Sequence, residues 1–293
     1  MTPLIVLGCG YVGTRLARAA LAAGRTVRVC ARSTGRLAPL GALGAQVKYV
    51  DAAMTKQLPV ALSGLPGATL VYSIPPVTGL PPGHAMRAAL QAAYGANIGC
   101  FIHFSSSGLY GDQPDDEAWI DDDTPITRGD AAMTNVLSDE AEVESCTFDR
   151  LRTVTLRLAP VYGGGRGVRQ RLRKGDYRLL DDGQHAISRI HIDDVVRIVF
   201  AAAERAPTRS RYLVADDEPT TQGEYARWLC ERLALPLPPT RALHEPGANR
   251  VAHRNRRIRN ARLKQELEIE LLYPTFREGE AAIDAEETAS RDS

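Results

Sequence analysis

The chain has 293 residues, of which 44% are hydrophobic and 24% are charged, as in ordinary globular proteins. Its 36 basic and 35 acidic residues give a formal net charge of +1, so no global field favours nucleic acid or an anionic membrane as a partner. No run approaches the roughly 18 apolar residues of a membrane span. The length suffices for one large domain or two modest ones.

The cysteines are scattered along the chain and form no C-x-x-C pair. They are Cys9, Cys30, Cys100, Cys146 and Cys230. An odd number of isolated cysteines is typical of buried free thiols in a reducing compartment. We therefore expect a cytoplasmic protein and predict no metal site.

A glycine turn near the N-terminus is the strongest motif. The apolar residues 3–7 predict a buried strand, and the spacing of small and apolar residues over 11–23 predicts a helix. Between them stands Gly-x-Gly-x-x-Gly, with Gly8 allowing a tight turn, Gly10 leaving room for a pyrophosphate, and Gly13 allowing close packing of helix on sheet. We predict a dinucleotide site that includes these glycines with Tyr11 and Val12. The alternative is a strand-to-helix turn without a ligand.

The second predicted strand, residues 26–30, leads to the sequence Arg32-Ser33 and then to Arg36. No Asp or Glu occurs between Thr14 and Val50, although NAD-specific sites usually carry an acid there for the ribose hydroxyl. A guanidinium pairs well with a 2′-phosphate. We therefore favour NADP, with NAD as the alternative, and place Arg32, Ser33 and Arg36 in the cofactor site. Arg32 could otherwise be a solvated surface charge.

Further strands are predicted at 46–50, 68–73, 100–104 and 152–158, with helices at 84–96 and 131–146. This alternation predicts an α/β fold with a Rossmann-like, doubly wound parallel sheet. Ligands of such sheets bind beyond the carboxyl ends of the strands. The cofactor candidates at those ends are Asp51, Ser73, Ile74, Pro75 and Ser105. Asp51 either contacts the adenine amino group or is a turn residue.

From Val168 the pattern changes. The basic residues of 169–174 form either a solvated helix face or a contact for an anionic substrate. Asp193 or Asp194 is the predicted N-cap of a helix over 193–203, and His191 before it is expected to be structural. A strand at 211–214 and a helix at 221–233 follow. The acidic residues 280–293 include few large apolar side chains and are predicted to be disordered.

Two domains are predicted from this organisation. Residues 1–165 form the Rossmann-like domain, to which 188–204 return. Residues 166–187 and 205–279 form a smaller, C-terminal substrate-side domain. The cleft between the two is the expected substrate site, because pockets favour domain interfaces. Whether the chain forms a homodimer stays open.

Taken together, several landmarks resemble the extended short-chain dehydrogenase/reductase superfamily, in particular its NAD(P)-dependent epimerase/dehydratase group. As a whole they most resemble the atypical, bacterial YeeZ-like branch, whose fingerprint is also Gly-x-Gly-x-x-Gly. The resemblance covers about residues 4–279. The segments that carry it, besides the glycine turn, are Ser105-Ser106-Ser107-Gly108-Leu109-Tyr110-Gly111-Asp112, Arg157 with Tyr162-Gly163, Ile190-His191-Ile192-Asp193-Asp194, Asn260-Ala261-Arg262-Leu263 and Tyr273-Pro274-Thr275-Phe276-Arg277-Glu278-Gly279.

The resemblance implies catalysis by a Ser or Thr together with Tyr-x-x-x-Lys. Ser106 matches the hydroxyl residue, but none of the ten tyrosines is followed by Lys four residues later. With Glu142 aligned to the usual acidic residue, Thr134 stands in the place of the Tyr and Ser138 in that of the Lys. The remaining candidates for catalysis are Ser106, Tyr110 and Thr134. The alternatives are that Tyr110 is a structural residue packed under the loop and that Ser106 is a structural hydroxyl.

Three functions are compatible with these observations. The favoured one is an NAD(P)-dependent oxidoreductase or epimerase/dehydratase-like enzyme with a non-standard acid/base, acting on a sugar nucleotide or a related small, anionic metabolite. Arg166, Arg169 and Arg173 could meet the phosphates of such a substrate. The alternatives are an NADP(H)-binding sensor or scaffold without turnover, and a non-redox lyase or isomerase that keeps the dinucleotide as structure.

Overall fold

The computed structural model describes residues 1–111, 118–126, 131–242, 245 and 255–289. Within these residues the strands are β1 Leu4–Leu7, β2 Val27–Ala31, β3 Gln46–Tyr49, β4 Thr69–Tyr72, β5 Cys100–Ser106, β6 Trp119–Ile120, β7 Arg152–Leu158, β8 Val161–Tyr162, β9 Leu179–Leu180, β10 Ala186–Ile187, β11 Ile190–His191, β12 Ser210–Val214, β13 Thr220–Thr221, β14 Thr240–Arg241 and β15 Arg257–Ile258.

The α-helices of the same residues are α1 Tyr11–Ala22, α2 Ala38–Ala42, α3 Leu58–Leu62, α4 His84–Gly95, α5 Ala131–Glu144, α6 Val168–Arg173, α7 Ile192–Arg205, α8 Gln222–Leu233, α9 Ala261–Glu266 and α10 Phe276–Ala289. A 3₁₀ turn, Ser107–Tyr110, follows β5 directly.

Seven strands form one parallel sheet in the order β3-β2-β1-β4-β5-β7-β12. The inner strands β1 and β4 are buried along their whole length, which is why they read as continuous apolar runs in the sequence. The predicted Rossmann-like α/β fold is confirmed. Predicted and observed ends agree for β7 and differ by one or two residues for the other strands of this sheet.

The site is positioned by the change of winding direction between β1 and β4. Strands 1 to 3 extend to one side of the sheet, and strands 4, 5 and 7 to the other. Leu7 at the end of β1 is in register with Cys30 of β2 and with Tyr72 of β4. The segments that follow these strands therefore leave the sheet at one edge, where a crevice forms.

Two apolar layers cover the sheet. On one face α1 buries Leu16 and Ala20 in a cluster that also includes Val195 and Val199 of α7. On the other face the buried side chains come from α3, α4 and α5, for example Met86 and Leu90. A third cluster joins α6, α8 and α10. The division into two domains stays a prediction. No helix of the described residues is long and apolar enough to cross a bilayer.

The N-cap of α7 is His191, and the predicted cap at Asp193 or Asp194 was wrong. The helix begins at Ile192, and the backbone amide of Asp193 donates to Nδ1 of His191 at 3.3 Å. Burial lowers the pKa of His191 to about 4, so its ring is neutral at physiological pH and Nδ1 can accept. The Asp194 carboxylate instead accepts from the backbone amides of Leu272 at 2.6 Å and Tyr273 at 3.1 Å.

The predicted disorder of 280–293 was wrong for residues 280–289, which belong to α10. Of this predicted tail, residues 290–293 lie outside the described residues. Glu280 is 1% exposed, accepts from Nε of Arg169 at 2.7 Å and also accepts from the Tyr225 hydroxyl. Arg173 donates to Glu287 at 2.6 Å through each of its two terminal nitrogens. The acidic tail and the basic segment thus neutralise each other, a pairing that composition does not show.

Replacing Glu280 with Ala should lower the free energy of unfolding by about 3 kcal/mol, because the buried Arg169 loses its main counter-charge. Chemical denaturation followed by circular dichroism measures this change. Glu270→Gln, on an exposed side chain, is the control and should change the value by less than about 0.5 kcal/mol. Equal effects of the two substitutions would show that the ion pair does not hold α10.

Candidate functional site

A cleft of about 930 Å³ opens at the carboxyl ends of β1, β2, β4, β5 and β7. Its size lies in the range of small-molecule sites. Twelve of the thirteen predicted cofactor residues line it: Gly8, Gly10, Tyr11, Val12, Arg32, Ser33, Arg36, Asp51, Ser73, Ile74, Pro75 and Ser105. The thirteenth, Gly13, is buried in the first turn of α1.

The three glycines of the turn have different surroundings. Gly8 has φ +92°, and a Cβ there would lie 2.8 Å from the carbonyl carbon of Ser73, so only glycine fits beside β4. A Cβ on Gly10 would meet nothing nearer than the Gly8 carbonyl oxygen at 4.0 Å. A Cβ on Gly13 would lie 2.7 Å from Val6. Gly8 and Gly13 therefore allow the backbone to pack closely against Ser73 and Val6, whereas Gly10 leaves open space at the cleft.

The N-terminus of α1 faces this open space without neutralising groups. Gly10 is the N-cap, no side chain caps the helix, and its first turn has no acidic residue. Uncapped amides and the positive end of the helix dipole are suited to a phosphate. The Tyr11 hydroxyl donates to the Gly164 carbonyl at 3.1 Å, and burial raises the pKa of Tyr11 to about 12. The guanidinium carbon of Arg166 lies 5.2 Å from the Tyr11 ring centroid.

Basic side chains dominate the charge of the cleft. Within the described residues that line it, the charged ones are Arg32, Arg36, Arg166, Arg256 and Asp51. Arg32 and Arg36 are exposed at the end of β2. The Asp51 carboxylate accepts from the Ala53 amide at 3.0 Å, so this residue stabilises its turn as well as lining the cleft. The excess of guanidinium groups favours an anionic ligand.

Ser106 is the one catalytic candidate that reaches the cleft among the three predicted. Its Oγ accepts from the Gly108 amide at 3.0 Å, which leaves the hydroxyl proton for another acceptor. The adjacent Ser105 also lines the cleft, but its Oγ is buried without a partner in the described part of the chain.

Tyr110 does not line the cleft, contrary to its prediction as a catalytic residue. The 3₁₀ turn after β5 places it in the core, where it is 0% exposed. Its hydroxyl accepts from Arg157 at 2.6 Å, and Arg157 in turn donates to the Glu140 carboxylate at 2.6 and 3.0 Å. Burial raises the pKa of Tyr110 despite the neighbouring guanidinium, so the hydroxyl stays protonated at neutral pH.

Thr134 is exposed on α5 and does not line the cleft either. Its carbonyl accepts from the Ser138 hydroxyl at 3.0 Å, a bond within the helix. None of the four lysines, Lys48, Lys56, Lys174 and Lys264, lines the cleft. The described residues therefore bring no Tyr-Lys pair to the site.

Arg256 is a site residue that sequence reasoning missed. It is buried, lines the cleft, and donates to the Ser107 carbonyl at 3.3 Å. In the sequence it stands in an arginine-rich stretch without periodicity, so no local pattern separates it from its neighbours. Arg166 also lines the cleft, as an anion contact would. Arg169 and Arg173 do not, because both are paired with α10.

The sequence profile of one protein family covers the central part of this fold. Residues 83–215 match the NAD dependent epimerase/dehydratase family. This stretch contains Ser106, helix α5 and the Arg157 ion pair. A search among curated proteins finds no significant relative.

Solved structures share the fold over nearly the whole chain. A conserved protein of unknown function from Silicibacter pomeroyi is 29% identical, with a TM-score of 0.82 over 98% of this chain and 99% of that one. MoeE5, in complex with UDP-glucose and NAD, is 19% identical, with a TM-score of 0.78 over 99% and 100% of the two chains. The dTDP-glucose 4,6-dehydratase DesIV from Streptomyces venezuelae, with NAD bound, is 19% identical, with a TM-score of 0.80 over 97% and 95%.

The different surroundings of Gly10 and Gly13 predict that a methyl group destabilises the fold at Gly13 but not at Gly10. Gly13→Ala should lower the free energy of unfolding by about 1–3 kcal/mol, because the new Cβ overlaps Val6. Gly10→Ala should leave that free energy within about 0.5 kcal/mol of the original value. Denaturant titration of both variants checks the prediction. A Gly10→Ala variant as unstable as Gly13→Ala would contradict the open space assigned to Gly10.

Proposed function

We propose that this chain is a nicotinamide-dinucleotide-dependent enzyme of the epimerase/dehydratase type, acting on a sugar nucleotide or a related small, anionic metabolite. The proposal rests on one observation: the same cleft is lined by the glycine turn after β1 and by Ser106 at the end of β5. The family match over residues 83–215 supports it. A bound nicotinamide would supply hydride chemistry at the carbon atom of a hydroxyl or carbonyl group.

The cofactor would lie along the carboxyl ends of β1, β2 and β4. The open space at Gly10 and the uncapped amides of α1 suit its pyrophosphate. Arg166, stacked on Tyr11 beside the same helix terminus, would add a guanidinium to that group. Arg32 and Arg36 favour the 2′-phosphate of NADP, since no acid stands between Thr14 and Val50. MoeE5 and DesIV hold NAD in their structures, and NAD is the alternative here.

The substrate would lie between the serines of β5 and Arg256. Ser106 retains a hydroxyl proton that can hydrogen-bond and orient a reacting oxygen. Arg256, held by the Ser107 carbonyl, would bind an anionic part of the substrate. MoeE5 is described with UDP-glucose, so sugar nucleotides are the first substrates to test.

The sensor or scaffold function remains the second candidate, and one observation favours it. The described residues place no Tyr-Lys pair at the cleft, whereas hydride transfer to or from a carbon–oxygen bond requires a proton partner for the oxygen. Oxidation of bound NADPH by an added carbonyl compound separates the two functions, because only an enzyme turns the cofactor over.

The proposal is tested by titrating the purified protein with NADPH and NADH and following nicotinamide fluorescence. The protein with bound NADP⁺ or NAD⁺ is then mixed with UDP-glucose or dTDP-glucose, and formation of the reduced cofactor is recorded. Binding followed by reduction supports the enzyme. Binding without reduction or oxidation favours the sensor. Failure to bind either dinucleotide would overturn both functions.

Arg32→Asp should weaken NADPH binding by roughly 10- to 100-fold, because a charge-assisted hydrogen bond to the 2′-phosphate is lost. NADH binding should change by less than about 3-fold, since that cofactor lacks the phosphate. Fluorescence titration gives both dissociation constants. Arg227→Asp, at an exposed position on α8, controls for net charge. Equal losses for NADPH and NADH would remove Arg32 from the 2′-phosphate site.

Ser106→Ala should lower the rate of cofactor reduction by roughly 10- to 100-fold, because the substrate oxygen loses a hydrogen bond. The dissociation constant for NADPH should stay within about 3-fold. Ser145→Ala, at an exposed position directly after α5, is the matched control. An unchanged rate would mean that Ser106 only caps the 3₁₀ turn through Gly108.

A further inference from the structure

A row of unpaired polar atoms lies on the sheet face covered by α4 and α5. Its members are Oη of Tyr72, Nδ1 of His103 and Oγ of Ser105, each buried and without a hydrogen-bond partner among the described residues. Tyr72 and His103 are register partners on β4 and β5, with ring centroids 6.1 Å apart. His103 and Ser105 are two residues apart on one strand and so share a face.

The row reaches the cleft at one end, because Ser105 lines it. At the other side, Asp139 of α5 is 4% exposed and makes no hydrogen bond or ion pair within the described part of the chain. Asp139 also lines a cavity of about 10 Å³, close to the volume that one water molecule needs. Pro76 and Val77 line both this cavity and the cleft.

Leaving such atoms unpaired is costly, about 1–3 kcal/mol for each buried group. Side chains two residues apart on a strand are about 7 Å apart, too far for a direct hydrogen bond. Bridging water satisfies such groups. The small cavity has room for one molecule beside Asp139, and the charge of Asp139 helps to raise the pKa of Tyr72, so the acid lies near the Tyr72 end of the row. With water between its members, the row would form a connected chain of donors and acceptors between a carboxyl group and the cleft.

The charges around Asp139 leave it as the unpaired acid of this region. Titratable and charged groups on α5 and on the elements packed against it include Glu140 and Glu142 on α5, Arg87 on α4, His103 on β5, Tyr110 on the 3₁₀ turn and Arg157 on β7, and the charge of Asp139 also acts on Tyr72 of β4. Glu142 is paired with Arg87 and Glu140 with Arg157.

The protonation states suit a proton path. Burial, with a smaller contribution from the charge of Glu142, raises the pKa of Asp139 to about 6. Burial lowers the pKa of His103 to about 4, so the ring is neutral and can accept at one nitrogen while donating at the other. Burial also raises the pKa of Tyr72, which keeps its proton and can both donate and accept.

We propose that Asp139 holds and releases the proton for the reaction in the cleft, through a water-bridged relay formed by Tyr72, His103 and Ser105. The relay takes the place of the missing Tyr-Lys pair, and its catalytic use rests on the proposed function. When a substrate hydroxyl is oxidised, the hydride leaves carbon for the nicotinamide dinucleotide. The hydroxyl proton passes along the row to the Asp139 carboxylate, and a carbonyl group remains.

Infrared difference spectroscopy of the full chain, titrated from about pH 4 to 8, tests Asp139 without any substrate. The original protein should show the carbonyl band of a buried carboxylic acid, which disappears as the pH rises through about 6. Asp139→Asn should abolish that band, and Glu144→Gln, on an exposed residue of the same helix, should retain it. A band that persists in Asp139→Asn, or no such band at all, overturns the proposal.

The connection to the cleft is tested on the same band. Ser105→Ala, Tyr72→Phe and the addition of NADP⁺ should each move its titration midpoint, because each alters one part of the row or its open end. Tyr72→Phe removes a single oxygen and therefore keeps the shape of the core. If the titration midpoint of the band stays the same after all three changes, Asp139 is an isolated buried acid and the relay is overturned.

Turnover distinguishes this inference from the proposed function. Reduction of bound NADP⁺ by UDP-glucose should accelerate as the pH rises through about 6, because the relay must end in a carboxylate. In Asp139→Asn the rate should no longer rise with pH in this range, and it should fall by roughly 10²- to 10⁴-fold, with NADPH affinity unchanged. An unchanged pH profile overturns the relay. If no sugar nucleotide reduces the cofactor while the infrared tests succeed, the proton connection between Asp139 and the cleft stands, and its catalytic use fails together with the proposed function.

Discussion

The close approach of β1, β4 and α1 is the constraint on which the site depends. A side chain at Gly8 would meet the backbone of Ser73, and one at Gly13 would meet Val6. Only glycine at these two positions lets the helix start immediately beyond the strand and lie against the sheet. The winding of the sheet reverses at the same place, so the N-terminus of α1 opens onto the crevice between β1 and β4. The same close packing at Gly8 and Gly13 therefore holds α1 against the sheet and directs its N-terminus toward the crevice.

Electrostatic pairing decides which of the many arginines are available to a ligand. Arg169 and Arg173 are held by the carboxylates of α10, and Arg157 is held by Glu140 beneath β5. Arg32, Arg36, Arg166 and Arg256 line the cleft instead. The nearly neutral chain thus contains a local basic site, and its net charge gives no indication of it.

The candidate acid/base residues also divide into some that are buried in the core and some that line the cleft. Tyr110 follows Ser106 by four residues, yet the intervening 3₁₀ turn places its hydroxyl against Arg157 in the core. Ser106 stays at the cleft. The unpaired Asp139 comes from α5, the helix that also carries Thr134 and Ser138. In the proposed relay, Asp139 is connected to the cleft through the polar row of Tyr72, His103 and Ser105 on the sheet beneath it.

The sequence by itself determined the features that depend on local pattern. Alternating apolar runs and glycine spacing predicted the Rossmann-like sheet, the turn at Gly8 to Gly13, and twelve residues that line the cleft, because each strand end is set by its own strand. Only the tertiary structure decided which distant charges meet. Helix α10 is held by the bond between Glu280 and Arg169, and Tyr110 is buried against Arg157. Arg256 contacts the distant Ser107, and Asp139 lies beside the β4–α4 loop. These pairings join residues far apart in the chain, and neither hydrophobic periodicity nor residue type encodes a partner at that distance.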